Sequence, residues 1–497
     1  METIRKNIEK NKSVVVATLL FLIILFGAIM RLWQLGYASY WLDEGFTLIQ
    51  ARGIAIHGYP LLDSGYAEWK DLLIPYTVAP FVKIFGFQHA WALRLIPAVF
   101  GILTIFIGYR LAMNIFSWRV GLIFSFFIAS CHWYIAWSQQ VRGYSAVIFF
   151  VLLMFYFLSK FEHKMEAKYI QYAFLSILLA VLAKKFAIIL FVPFLVYLLG
   201  KKFYRAVFML GGISGLVAIF FVSKAWQAIT INPIGYFAFY VNNYLLEYFG
   251  IFIVLAVIGG LVVFWSDSKY KVLNSSILAF VVSTIIVFSA FVFVSERRYL
   301  LMITPFIFLY AAYLIEFIAK KFRYHNVVGL VLFIVVIIVS GIYNYSTILI
   351  PQKQYNLEYY TPQPNYNKAY NKILEKGFTE DDTIISTIPL LDIIYLGRAD
   401  YAIPWSLTGR EGDTTFRGRQ EMYSGAKTLK DKTGNSTIVK IEKLQKKGNV
   451  YVVMDSLASR RMEFDLWDDI TDLGEEIIKD GSESRVVVYL FPELVNE

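Results

Sequence analysis

The residues best suited to chemistry are charged groups set beside long apolar runs. After the first such run comes Tyr40-Trp41-Leu42-Asp43-Glu44-Gly45-Phe46-Thr47. Acidic groups next to hydrocarbon are costly and tend to be functional. Asp43 or Glu44 could accept a proton from a hydroxyl. An acid at Asp43 could equally start a helix running to Gly58, capping free N–H groups and complementing the dipole. The spacing leaves both readings open. Adjacent helical residues sit roughly 100° apart, so the two acids cannot point the same way; one can face a substrate while the other anchors the loop. A second set of groups is basic. Arg142 and Arg298 present guanidinium forks that grip two oxygens of an anion, Lys70, Lys184 and Lys185 supply point charges, and Tyr144 supplies a hydroxyl. Against each stands a plain alternative, since Lys and Arg at span ends snorkel to headgroups and Tyr and Trp form interfacial belts. Arg297 and Arg298 are neighbours, so at most one is expected to face a shared site, and Arg94 is expected to pin its helix by packing.

The elements that must position these groups are membrane spans. Hydrophobic residues make up 58% of the 497, charged residues only 17%, and there are 43 Phe and 34 Tyr; mean hydropathy is +0.56. A soluble domain carries about 25% charged residues, so the composition excludes disorder, a disulfide scaffold and a nucleic-acid-binding module. The net charge of +10 comes as short basic clusters between apolar runs, the pattern that sets membrane topology. One cysteine, Cys131, forbids an internal disulfide, and five scattered His argue against a structural zinc. At ~20 residues per helix the chain reads as about eleven spans. Nine start near Ser13, Ala90, Val120, Val141, Ala206, Tyr248, Val272, Tyr299 and Asn326; two short ones, 169–183 and 186–200, meet at Lys184-Lys185, which could instead mark a broken or re-entrant segment. The first is expected to be retained, because no small-residue cleavage site follows it.

Placing the N-terminus in the cytoplasm puts most basic loops inside, including Lys160, Lys164, Lys168, Lys201, Lys202, Arg205, Lys269, Lys271, Lys320, Lys321 and Arg323. Arg142, Lys184, Lys185 and Arg298 then belong to the basic minority outside. An odd number of spans leaves residues 351–497 outside as well. That segment should form a small α/β domain: 365–376 has helical spacing, and 383–388, 449–454 and 485–491 read as buried strands. The expected division is a membrane module, 1–350, and an extracytoplasmic domain, 351–497. The outer loop 32–88 carries two apolar stretches, 46–56 and 72–82, too short to span and expected to lie along the interface.

Trp41-Leu42-Asp43-Glu44 after the first span resembles the Asp-Glu motif of the GT-C membrane glycosyltransferases. The resemblance is to the superfamily holding protein O-mannosyltransferases and the lipid A aminoarabinose transferases (glycosyltransferase families 39 and 83). Further matches follow in the same order: Phe85-Gly86 with Arg94-Leu95-Ile96-Pro97, Arg142-Gly143-Tyr144, Leu182-Ala183-Lys184-Lys185, and Arg298-Tyr299 with Pro305. Lys70 lies about where the aminoarabinose branch keeps a lysine, though Asp71 stands where proline is usual there. The resemblance covers roughly residues 13–346. It implies a GT-C fold and a sugar donor on a polyprenyl phosphate, with a hydroxyl acceptor at the outer face of the membrane; the absence of cysteine outside and the single-chain design fit a bacterial or archaeal plasma membrane. It also implies inversion, with Asp43 as base, Glu44 shaping the loop or assisting, and lipid phosphate leaving toward Lys70, Arg142, Tyr144, Lys184, Lys185 and Arg298.

No second acidic cluster or outer His joins Asp43-Glu44, so a divalent metal is open but unsupported. A transporter or flippase of lipid-linked sugars would also want many spans and basic groups, yet would call for paired broken helices, and only one candidate break is visible. An oligosaccharyltransferase would carry a Trp-Trp-Asp-Tyr type motif after Pro351, and none occurs. A membrane-anchored binding module would not need so many spans. The loop 405–422, with Arg410, Arg417 and Arg419, could bind a ligand or be a solvated face.

Overall fold

The computed structural model describes residues 2–204, 233–266, 269–290, 296–340, 365–403, 423–428, 434–455, 470–479 and 486–494. The span expected from Ala206 and the loop 405–422 lie outside the described residues. The chain divides into two compact units, one of Met1–Trp33 and Pro97–Leu349, the other of Gln34–Ile96 and Ile350–Glu497.

The first unit is helical. Its elements are α1 (Glu2–Leu32), α4 (Ala90–Ile115, from Pro97 onward), α5 (Trp118–Ser130), α6 (His132–Ser138), α7 (Tyr144–Lys164), α8 (Ala167–Ala183) and α9 (Phe191–Gly200), followed by α10 (Pro233–Tyr240), α11 (Glu247–Ser266), α12 (Lys271–Ala290), α13 (Thr304–Ala319) and α14 (His325–Ser340). Among the described residues five helices are long and apolar enough to cross a membrane, six if α5 and α6 count as one span bent by 59°. Several shorter apolar helices, α8 and α13 among them, fall where spans are expected. The bend at Cys131 has a physical holder. Arg31, fully buried, donates from Nη1 to Gly27 O (3.0 Å) and Ala129 O (2.9 Å) and from Nη2 to Ile128 O (3.0 Å). It thereby occupies carbonyls that the end of α5 leaves unpaired. Gln139 Nε2 serves the end of α1 in the same way, reaching Met30 O (3.2 Å), Arg31 O (3.2 Å) and Trp33 O (3.1 Å).

The second unit combines residues 34–96 with the C-terminal segment. It holds α2 (Leu42–His57), α3 (Leu73–Phe85), α15 (Tyr366–Glu375), α16 (Pro389–Leu396) and α17 (Gly434–Gln445) around one sheet. The sheet runs β3 (Lys427–Thr428), β2 (Tyr401–Ala402), β1 (Thr383–Ser386), β4 (Val450–Asp455), β6 (Val486–Phe491), β5 (Glu475–Lys479). Its first four strands are parallel, and β6 alone is reversed, running antiparallel to both its neighbours, β4 and β5. Ile385, Val450, Val452, Met454, Val487 and Phe491 form its core with Ile441 of α17. The three expected strands and the helix over 365–376 are present. α2 is buried along most of its length, and Leu390 and Leu391 of α16 pack over its Gly45. Gly58 ends α2 at φ +80°, a left-handed conformation that residues with a Cβ adopt at a cost.

Candidate functional site

In the second unit the start of α2 fixes the two acids differently. The helix begins at Leu42 with Trp41 as its N-cap residue, so Asp43 does not start it. The cap is supplied by Glu44, whose Oε2 accepts from Trp41 N at 3.0 Å. Glu44 also accepts from Arg94 at both oxygens, Nε to Oε1 at 2.9 Å and Nη2 to Oε2 at 2.9 Å. Arg94 spends its other donors on the backbone leading into the helix: Nη1 to Leu35 O (3.1 Å) and Ala38 O (2.9 Å), and Nη2 to Ser39 O (3.0 Å). A guanidinium has five N–H groups, and this set of bonds uses all five. Both partners are enclosed, Glu44 at 0% and Arg94 at 1% exposure, and the guanidinium also lies 5.1 Å from the Tyr40 ring centroid. Arg94 therefore acts through hydrogen bonds and charge, beyond the packing role expected of it. Asp43 is left half-buried in the first turn of α2.

The C-terminal segment holds the same loop. Tyr395 OH accepts from Tyr40 N (3.1 Å) and donates to Asn367 Oδ1 (2.6 Å), and Ser39 Oγ accepts from Asn367 N (3.0 Å). Behind Tyr395 stacks Tyr370, rings 4.7 Å apart, which donates to buried Asp392 Oδ1 at 2.5 Å. Burial, reinforced by nearby Asp400, pushes the Asp392 carboxyl up to about 8 against the hydrogen bonds from Tyr370 and Ser386. The two anchors to the loop are invisible in sequence because each joins residues more than 300 positions apart. Lys70 belongs to this unit, half-exposed and paired with Glu68 at 3.3 Å; Tyr423 OH donates to the same carboxylate at 3.0 Å. Asp71 after it sits at φ +53°, a conformation closed to proline.

In the first unit four of the expected basic and aromatic groups come together. Tyr144 opens α7 and is its hub. Lys184 Nζ lies 5.3 Å from the Tyr144 ring centroid and Arg298 Cζ 5.9 Å from it. Trp137 at the end of α6 packs on Tyr144 at 4.5 Å and also meets Arg298 Cζ at 5.7 Å. Arg142 precedes Tyr144 across Gly143, and that glycine is needed. A Cβ there would fall 2.2 Å from Ala183 O and 3.2 Å from Lys184 Cγ, so the Arg142–Tyr144 turn is pressed against the end of α8. Lys184 and Arg298 are 5% and 8% exposed. Cations stripped of water to this degree are costly unless an anion or ring faces attend them. Glu296 supplies one carboxylate, 3.7 Å from Arg298. Lys185 opens a 3₁₀ turn, Lys185–Leu190, with an exposed side chain. Arg297 is buried as well, but over Phe239 (5.8 Å) and Tyr248 (5.6 Å). Trp137 is the member that sequence reading missed; only its place in an aromatic run before Arg142 hints at it. Among the described residues no group of three His, Cys, Asp or Glu could hold a metal ion.

Residues 70–226 match the family model for dolichyl-phosphate-mannose-protein mannosyltransferases, a stretch that includes Lys70, Arg142, Tyr144, Lys184 and Lys185. No curated protein sequence matches the chain. In structure the chain is similar to ArnT from Cupriavidus metallidurans bound to undecaprenyl phosphate, with TM-score 0.59 and 13% identity over 97% of this chain and 98% of that one. It is similar also to the archaeal oligosaccharyltransferase AglB from Archaeoglobus fulgidus in complex with an inhibitory peptide and a dolichol-phosphate. There the TM-score is 0.58 and the identity 13%, over 93% of this chain and 73% of that one. These proteins have the GT-C fold, and the chain shares it.

Proposed function

We propose that this chain, a multi-pass membrane glycosyltransferase of the GT-C fold, moves a sugar from a polyprenyl phosphate to a hydroxyl acceptor at the outer face of a plasma membrane. The N-terminus lies in the cytoplasm and the C-terminal domain outside, in keeping with the basic loops. Residues 1–350 form the membrane module and 351–497 the outer domain, which works together with the loop 32–88. The observation that carries the reading is the nest around Tyr144. Two desolvated cations, Lys184 and Arg298, flank one phenol beside Arg142, at the ends of membrane helices. Such a nest suits an anion arriving with an apolar tail, and preorganised positive charge stabilises a leaving phosphate most where water is excluded.

In the proposed transfer Asp43 takes the acceptor's hydroxyl proton. The oxygen attacks the anomeric carbon, and the bond from that carbon to the phosphate oxygen breaks on the opposite side. The electron pair leaves with the polyprenyl phosphate toward Arg142, Tyr144, Lys184 and Arg298, with Lys70 and Lys185 as further charges. Inversion follows from the single displacement. Glu44 is a positioning residue, its oxygens already engaged by Arg94 and Trp41. The test uses purified protein in lipid discs with a polyprenyl-phosphate sugar donor. Acceptor-dependent release of free polyprenyl phosphate is expected, and Asp43→Asn should lower it at least 100-fold with an unchanged melting profile. Full transfer by that variant would refute the base; transport of donor without release of polyprenyl phosphate would refute the enzyme.

A further inference from the structure

The second unit holds an open cavity of about 590 Å³ between the outer loop and α15, within the usual range for ligand pockets. We propose that it is an acceptor subsite binding the sugar residues of an acidic glycan whose reacting hydroxyl lies at Asp43; this rests on the sugar transfer proposed above. The lining is rich in carboxamides and ammonium groups: Asn365, Asn367 and Asn371 with Lys368 and Lys372, and Tyr37 opposite. Lys368, Asn371 and Lys372 share one face of α15 by their i, i+3 and i+4 spacing. The fold orients two of the carboxamides. Asn365 Oδ1 accepts from Lys368 N at 3.1 Å, and Asn367 Oδ1 accepts from Tyr395 OH at 2.6 Å. Each keeps two N–H donors at its other end.

Paired donors spaced along a helix match vicinal hydroxyls. An aromatic ring left 56% exposed, as Tyr37 is, offers an apolar face to the C–H side of a pyranose while its hydroxyl stays wet. Two lysines line the cavity against one carboxylate, Glu375, which pairs with Lys372 at 3.1 Å; of the acids flanking Ile477, Glu475 pairs with Lys376 at 3.6 Å and Glu476 bonds Tyr489, so the lining keeps a positive balance that favours a uronate or similar sugar. A peptide strand fits less well. The neighbouring edge strand β5 is bulged between Glu476 and Ile478 and carries Glu475 and Glu476, and bulges and charge blunt strand addition.

The cavity is also tied to the proposed chemistry. Tyr37 precedes Asp43 by six residues, at most ~20 Å of extended chain, and Asn367 N donates to Ser39 Oγ within that stretch at 3.0 Å. One oligosaccharide can therefore touch both ends of the segment.

The experiment is saturation-transfer NMR on the full chain in lipid discs. The probes are an acidic tetrasaccharide of alternating uronic acid and N-acetylhexosamine, a neutral glucose tetrasaccharide, and a Ser/Thr-rich octapeptide. The acidic saccharide should receive saturation at millimolar concentration, more strongly than the neutral one, and the peptide none. Lys368→Ala with Asn371→Ala should weaken binding about tenfold, the loss of one to two hydrogen bonds, at an unaltered melting profile; if the pair unfolds, Lys368→Ala alone is read. Presenting the saccharide free and as a lipid conjugate separates a soluble from a membrane-borne acceptor, and binding in either form supports the subsite. No transfer to the acidic saccharide, equal transfer in the variant, or displacement by the peptide overturns it. The readout needs no donor, so it stands apart from any failure to release polyprenyl phosphate.

Discussion

Replacing Arg94 by Lys tests whether the loop bearing Asp43 is held by one buried ion pair. Lysine keeps the charge but offers three donors and no planar fork. It can meet Glu44 or the carbonyls of Leu35, Ala38 and Ser39, and not all of them. At 0% and 1% exposure neither partner has water to fall back on. Leaving two or more of these buried acceptors without a donor costs about 1–3 kcal/mol each, roughly 3–5 kcal/mol together. Divided by 1.36 kcal/mol per decade, this gives a 10²- to 10⁴-fold loss of hydrogen-exchange protection for amides over 39–47, read as local opening. Glu44→Gln should cost at least as much, because it strips the buried Arg94 of its counter-charge and turns an NH2 group toward donors that Glu44 now satisfies. A double change to leucine should not recover the loss as it does for simple pairs, since three backbone carbonyls would then be left without donors. Sugar transfer should fall with protection, through the rate more than the donor KM, because the change displaces the proposed base. Arg94→Lys with wild-type protection over 39–47 and wild-type transfer would refute the reasoning.

Two further changes probe other parts of the molecule. Gly143→Ala puts a methyl 2.2 Å from a backbone carbonyl that cannot swing aside; a shift of the Arg142–Tyr144 turn should cost about 1–3 kcal/mol and raise donor KM several-fold, and wild-type KM would show the contact to be slack. The Asp392 carboxyl, pushed up to about 8 from 3.8 by burial, binds its proton more tightly folded than unfolded. Its contribution is full below pH ~4 and is lost as pH rises through about 8, by up to ~1.4 kcal/mol per pH unit between. Asp392→Asn, which can still accept from Tyr370, should flatten that slope and raise the melting temperature at pH 8 more than at pH 5; a parallel pair of pH profiles would contradict this.

How much the sequence could reveal depended on the range of the signal. Apolar runs mark α1, α4, α7, α8, α11 and α12 because a bilayer demands length, and β1, β4 and β6 because buried strands are rich in Val, Ile and Tyr. Two-residue strands such as β2 and β3 carry no period to read. The bend at Cys131 depends on Arg31, about 100 positions away, so the run from Val120 gives no sign of it.

The site shows the same limit in sharper form. Three like-charged doublets, Asp43-Glu44, Lys184-Lys185 and Arg297-Arg298, stood out as chemistry, and adjacency alone says that the members of each must diverge. It cannot say which member goes where, because that choice is made by partners distant in sequence. Arg94 takes Glu44 into the interior and leaves Asp43 half-buried. The Tyr144 ring takes Lys184 and leaves Lys185 exposed. The arginines divide differently, since both are buried and each finds aromatic faces of its own, Arg298 over Trp137 and Tyr144, Arg297 over Phe239 and Tyr248. Burying both requires two separate sets of rings, and only a chain this rich in Phe and Tyr can supply them. The aromatic composition that first marked a membrane protein is therefore also what lets its cations sit dry.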